Sequence, residues 1–90
     1  MVFETTTSLA PADVFIHAKR FFAERMPQSA AFPEREGAGY LVLRGQGGEE
    51  IALAAAPHEQ GTRVRGSTLL FDQAVDRFLS TLPPVATVDA

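Results

Sequence analysis

The fold of this 90-residue chain is decided by residues 40–55, YLVLRGQGGEEIALAA, in which two apolar stretches flank a glycine-rich turn. The stretches 40–44 and 50–55 predict strands, and the glycines between them supply the positive φ angles that a tight hairpin requires. A second turn over residues 57–61 leads to a further β-rich stretch, residues 62–71. Because short turns join antiparallel neighbours, these three strands are expected to form an antiparallel meander.

Two amphipathic segments predict helices on either side of this meander. Over residues 11–26, apolar side chains recur at three- and four-residue spacing, Pro11 suits the first helical turn, and Pro27 ends the pattern. The same spacing predicts a second helix over residues 73–82, with Asp72 as its N-cap.

The remaining segments complete a single predicted domain over residues 1–84. Residues 2–9 are rich in β-branched and aromatic types and predict a first strand. Residues 27–37 are interpreted as an irregular segment whose Phe32 packs back onto the core, and residues 85–90 as a flexible C-terminal tail. The order β-α-β-β-β-α therefore predicts an α+β two-layer fold, an antiparallel four-stranded sheet with two helices on one face.

Composition narrows the class of protein. Apolar residues make up 46% of the chain and charged residues 21%, a globular balance, and the formal net charge of −3 argues against a nucleic-acid binder. The absence of cysteine excludes disulfides and thiolate metal sites. With neither a signal-peptide pattern nor an apolar run of transmembrane length, the sequence predicts a soluble, cytoplasmic protein with no membrane partner.

The sheet face that the helices leave uncovered is expected to be partly buried. In the stretches 40–43 and 51–54, both alternating sets of side chains are apolar, whereas a strand with one face in water usually alternates apolar and polar residues. A chain this small buries only about 60–65% of its unfolded surface, so an apolar face is expected to find a partner. A second copy of the chain and a small apolar ligand are both compatible with this pattern.

Five residues form the candidate ligand-binding site of the sequence. Arg63 and Arg65 are two apart in a predicted strand and project from one face, where together with Arg44 they could bind a carboxylate or phosphate. Tyr40 and Glu4 complete the candidate polar site. The simpler interpretation is an exposed strand with alternating arginines.

Other motifs give no sign of catalysis or of a cofactor. His17 and His58 are far apart in sequence, on a predicted helix and in a predicted turn, so no metal site is expected. The glycine clusters lead into strands rather than into a helix N-terminus, which excludes a phosphate-binding loop. No nucleophile-elbow motif surrounds the serines.

Two ends of the chain carry a family resemblance. The segment Leu9-Ala10-Pro11-Ala12-Asp13-Val14-Phe15, the segment 61–65 and the closing helix with Phe78-Leu79-Ser80-Thr81-Leu82 are similar to the START-like or polyketide-cyclase-like (SRPBCC, helix-grip) superfamily. The resemblance implies a sheet folded around a C-terminal helix, with a hydrophobic ligand between them. Family members are typically well over a hundred residues long, with more strands and a longer final helix. A shortened relative is therefore implied, whose pocket is lost or completed by a partner subunit.

These observations predict a non-enzymatic domain that forms a homodimer through its uncovered sheet face and binds a small apolar or amphipathic molecule there. One alternative is a structural or interaction protein that uses the same surface without a ligand. Another is a small cyclase- or dehydratase-like enzyme acting through Tyr40, Arg44 and Glu4. Double-stranded RNA binding, suggested by the β-β-β-α order, is disfavoured by the acidic balance.

Overall fold

The computed structural model describes residues 2–24, 31–69 and 71–85. The elements follow the order β1 (Val2–Thr7), α1 (Pro11–Glu24), β2 (Ala31–Glu36), β3 (Tyr40–Gly45), β4 (Glu50–His58), β5 (Gly61–Thr68) and α2 (Asp72–Thr81). The strands form one antiparallel sheet in the spatial order β1-β5-β4-β3-β2. The α+β class and the antiparallel meander of β3, β4 and β5 are thus confirmed. The predicted tail, residues 85–90, lies outside the described residues beyond Val85.

The prediction of four strands is wrong, because residues interpreted as irregular form β2 at the edge of a five-stranded sheet. Pro33 lacks a backbone donor, which an edge strand tolerates, and the pairing with β3 shifts register between Pro33 and Arg35. Proline, a bulge and charged side chains are common devices of edge strands. The expected packing of Phe32 onto the core is also wrong, since this side chain is 51% exposed and lies opposite Arg44.

The second helix begins one residue earlier than predicted. Asp72 occupies the first turn of α2, and Phe71 holds the N-cap position that the sequence assigned to Asp72. The aspartate still stands where the positive end of the helix dipole favours a carboxylate. The predicted last residues of the first helix, 25 and 26, lie outside the described residues.

Both helices pack on the same face of the sheet. Alternate strand residues point toward them, and the strand residues in the hydrophobic core are Ala31, Leu41, Leu43, Ile51, Leu53, Ala55 and Val64. Three helix phenylalanines, Phe21, Phe22 and Phe78, meet at the centre of this core, with ring centroids 5.2–5.6 Å apart. This face therefore forms the hydrophobic core of the domain.

Close contacts fix α2 and its C-terminal extension against the sheet. Gly66 on β5 lies under α2, and a Cβ at this position would stand 2.6 Å from Cγ1 of Val75. After the helix, Pro83 accepts a hydrogen bond of 2.6 Å from the buried Thr7 hydroxyl and one of 3.3 Å from the Ser8 backbone N–H. The end of the last helix is thus tied to the end of the first strand.

Of the helices in the described ranges, none has the length and apolarity needed to cross a bilayer.

Candidate functional site: the open sheet face

The site candidate is the sheet face opposite the helices, here called the open face. Its members alternate with the buried strand residues and follow from the strand registers. They are Val2, Glu4, Thr6, Phe32, Arg35, Tyr40, Val42, Arg44, Glu50, Ala52, Ala54, Ala56, Arg63, Arg65 and Ser67. The face thus contains all five residues that the sequence singled out.

The centre of the open face is a floor of small apolar residues. Ala52, Ala54 and Ala56 project from β4, the middle strand of the sheet. Aromatic side chains rise beside this floor, with Tyr40 48% exposed and Phe32 51% exposed. The face therefore leaves large apolar side chains in contact with solvent, and it is our candidate for an interaction surface.

One ion-pair cluster lies toward the β3–β4 hairpin. Nε and Nη2 of Arg44 donate to Oε2 of Glu34 at 2.9 and 2.7 Å, and Nη1 donates to the Gly48 carbonyl at 2.9 Å. The hydrogen bond to Glu34 raises the pKa of the Arg44 guanidinium, as do the charges of Glu34 and Glu50, while desolvation opposes the shift. Arg44 is therefore a firmly protonated group whose three nitrogens already have partners.

A second ion-pair cluster lies on β1 and β5. Glu4 accepts a hydrogen bond of 3.1 Å from Nη2 of Arg63, and its other carboxylate oxygen stands 3.9 Å from Nε of Arg65. All three side chains are more than two-fifths exposed, so the pairs contribute little to stability. Because one glutamate faces two arginines, this side of the open face keeps one unbalanced positive charge.

The predicted site residues share a face but form two separate groups. Arg44 lies on β3 opposite Glu50, whereas Arg63 and Arg65 lie on β5, with β4 between the two strands. Each group is paired with its own glutamate. The three arginines therefore do not come together as one anion-binding site in this structure. Their assignment to a ligand site stays a prediction.

Two further residues beside the open face, Glu34 and Leu69, were not among the site residues predicted from the sequence. Glu34, the partner of Arg44, lies in the segment interpreted as irregular, so no register placed it beside β3. Leu69 lies just beyond the end of β5, and its side chain is 88% exposed.

A cleft of about 610 Å³ opens at the hairpin end of the open face. Its lining consists of Arg44, Gly48, Glu49, Glu50, Ala52, Ser67, Thr68 and Leu69. A smaller depression of about 200 Å³ continues along the face beside Tyr40 and Arg65. The larger volume is in the range of small-molecule sites.

Metal binding finds no support in the part of the chain that the structure describes. There, no three His, Cys, Asp or Glu side chains are grouped so that they could hold an ion. His17 is exposed on α1, as the sequence predicted, whereas His58 is the exposed last residue of β4 and not part of the predicted turn.

Comparisons with protein-family models, with curated proteins and with solved structures give no match to this chain. The helix-grip resemblance accordingly stays a prediction. What the chain does has to be argued from the geometry of the open face.

Proposed function

We propose that this chain is a non-enzymatic binding domain that forms a homodimer through its open face and holds a small apolar or amphipathic molecule on that face. One observation carries the proposal: both helices cover the opposite face, while aromatic and aliphatic side chains of the open face remain exposed. Exposed contiguous apolar surface of this kind is typical of association sites.

The shape of the open face suits a second copy of the sheet. The alanine floor on β4 has no bulky side chains, so it permits the roughly 10 Å separation at which two sheets stack. Two of the arginines on this face are already paired within the chain, Arg44 with Glu34 and Arg63 with Glu4. These two pairs lower the cost of desolvating the face in a dimer.

The size of the face sets the expected strength of the dimer. Five strands spaced about 4.8 Å apart and about six residues long cover roughly 24 by 20 Å. Two such footprints bury roughly 1,000 Å² in total, near the lower limit for a specific interface. A reversible dimer with a Kd of about 1–100 μM is therefore expected rather than an obligate one.

The ligand part of the proposal rests on the cleft at the hairpin end. Its volume of about 610 Å³ fits a small molecule, and its lining combines Ala52 and Leu69 with polar groups. In this proposal the chain is a shortened relative of helix-grip domains. The space between sheet and helices is filled by buried phenylalanines, so the ligand site lies on the open face instead.

The enzyme alternative gains no support from the geometry. Glu4 lies on β1 at one edge of the sheet, whereas Tyr40 and Arg44 lie on β3, with β5 and β4 between these strands. A reaction centre needs its groups within hydrogen-bond reach of one substrate atom. We therefore retain the binding function.

The test compares two alanine-to-arginine variants in sedimentation velocity over a range of concentrations. Ala54 is exposed on the open face, and Ala23 is exposed on α1. Ala54→Arg should abolish the dimer while leaving the thermal unfolding of the monomer almost unchanged, and Ala23→Arg should leave the dimer intact. A wild-type chain that stays monomeric at millimolar concentration, or a dimer indifferent to Ala54→Arg, would refute the proposal. Native mass spectrometry of the freshly purified chain checks for a retained small molecule.

A further inference from the structure

The ion-pair cluster around Arg44 carries an excess of negative charge. Arg44 donates two hydrogen bonds to Glu34, and its third guanidinium nitrogen donates to the Gly48 carbonyl. Glu50 lies opposite Arg44 on β4 and is exposed, but it accepts none of these three hydrogen bonds. Because one arginine faces two glutamates here, this end of the open face keeps one unmatched negative charge, that of Glu50.

The cluster on β1 and β5 has the opposite excess. Its one glutamate, Glu4, accepts a hydrogen bond from Arg63, while Nε of Arg65 stands 3.9 Å from the other carboxylate oxygen. The Arg65 side chain is 61% exposed, so it presents an unmatched positive charge to solvent. Arg35, the remaining charged member of the open face, lies on the edge strand β2, two strands away from Glu50.

The strand register places the two unmatched charges on either side of one point of the face. Ala52 on β4 is paired with Ser67 on β5. Because these strands run in opposite directions, Glu50 lies two residues to one side of this pair and Arg65 lies two residues to the other. One strand spacing across and four residues along the strands separate the two charged residues by roughly 14 Å.

This arrangement is self-complementary under two-fold symmetry. Consider an axis that lies between two stacked sheets, crosses the Ala52–Ser67 pair and runs at right angles to the line from Arg65 to Glu50. Rotation about this axis brings Arg65 of each copy over Glu50 of the partner subunit. Ala52 and Ser67 are small, so the sheets can approach to the roughly 10 Å of stacked sheets, a distance that an arginine and a glutamate side chain span together.

We propose that the dimer of the open face is two-fold symmetric and is held in register by ion pairs between Arg65 of one copy and Glu50 of the other. The inference rests on the proposed function, since it specifies how the two copies of that dimer meet. Because a two-fold interface repeats every contact, the pair occurs twice. Charge pairing of this kind fixes the register and excludes wrong partners more than it adds affinity.

The test uses two charge-reversal variants, Arg65→Glu and Glu50→Arg, each alone and as an equimolar mixture in sedimentation velocity. Either variant alone sets like charges against each other twice in its homodimer, whose Kd should rise at least about tenfold. In the mixed dimer the introduced glutamate meets the introduced arginine, and the native Glu50 meets the native Arg65. The mixture should therefore dimerise at concentrations where each variant alone is monomeric.

Two further reversals are matched controls, Arg20→Glu on α1 and Glu59→Arg in the turn between β4 and β5. Both residues are exposed and lie outside the open face, so these variants should dimerise like the wild type, alone and mixed. Circular dichroism checks that each variant is folded. If a reversal variant does not fold, Arg65→Gln and Glu50→Gln decide the question, since two changes that remove the same pair should have less than additive effects on Kd.

Sedimentation also separates this inference from the dimer itself. A wild-type dimer that Ala54→Arg abolishes but that neither charge reversal weakens refutes the pairing of Arg65 with Glu50 and leaves the open-face dimer standing. A mixture no more associated than either variant alone likewise overturns the pairing. A wild-type chain that stays monomeric at millimolar concentration overturns both proposals.

Discussion

We predict that adding a single methyl group at Gly66 lowers the free energy of unfolding of the domain. A Cβ at this residue would lie 2.6 Å from Cγ1 of Val75 on α2 and 3.2 Å from Cδ2 of Leu53 on β4. Val75 and Leu53 are almost completely buried, at 0% and 2% exposure, so neither side chain can turn into solvent to make room. Gly66→Ala should therefore force α2 away from the sheet.

The magnitude follows from two opposing effects. Alanine restricts the unfolded chain, which favours the folded state by about 0.4–1 kcal/mol where the backbone conformation is compatible. Overpacking a well-filled core costs about 1–3 kcal/mol. The net loss in the free energy of unfolding should be about 1–2 kcal/mol, which lowers the Tm of a domain this size by roughly 5–15 °C.

The assay is urea and thermal unfolding followed by circular dichroism, with Gly39→Ala as the matched control. A Cβ at Gly39 meets only the Ala55 carbonyl oxygen, at an ordinary 3.5 Å, so this variant should stay within about 0.5 kcal/mol of the wild type. The double variant Gly66→Ala/Val75→Ala removes the clashing methyl and should be more stable than the sum of the single variants by at least about 1 kcal/mol. A Gly66→Ala domain as stable as the wild type would refute the close packing of α2 on β5.

Two further stability predictions follow from the core and the chain ends. Thr7→Val removes the hydroxyl that donates to the Pro83 carbonyl at 2.6 Å, and we expect it to cost about 1–2 kcal/mol in urea unfolding, whereas Thr5→Val should cost less than about 0.5 kcal/mol. An equal response of the two threonines would contradict the tie between β1 and the segment after α2. Phe32→Ala should cost about 1 kcal/mol at concentrations where the chain is monomeric, because half of the ring is already exposed, whereas the fully buried Phe22→Ala should cost about 3–5 kcal/mol. Equal losses would place Phe32 in the core and refute the position of β2.

The sequence by itself determined the elements whose pattern is local. The apolar spacing of three and four residues located both helices, and the period of two separated Leu41 and Leu43 from Tyr40 in β3. The glycine-rich turn after β3 and the short turn after β4 made β3, β4 and β5 antiparallel neighbours. These features depend on residues close together in the chain, so they can be read without knowing the tertiary structure.

Burial along the open face could not be inferred from the same alternation. Val42 belongs to this face by register, opposite Ala52, yet only 7% of its side chain is exposed. The two-residue alternation along a strand assigns a side chain to one face of the sheet. It does not show how completely the neighbouring side chains cover it. A charged substitution at Val42 would therefore test stability, which is why Ala54 serves better as a probe of association.

Only the tertiary structure decided the edge of the sheet and the grouping of the site residues. The strand β2 has proline and charges in place of an alternating apolar pattern, and it is a strand because β3 offers it a free edge for pairing. That pairing brings Glu34 to Arg44, while β4 holds the arginines of β5 away from them. Edge pairing and cross-strand ion pairs depend on which strands are neighbours in space. Local periodicity carries no information about those neighbours.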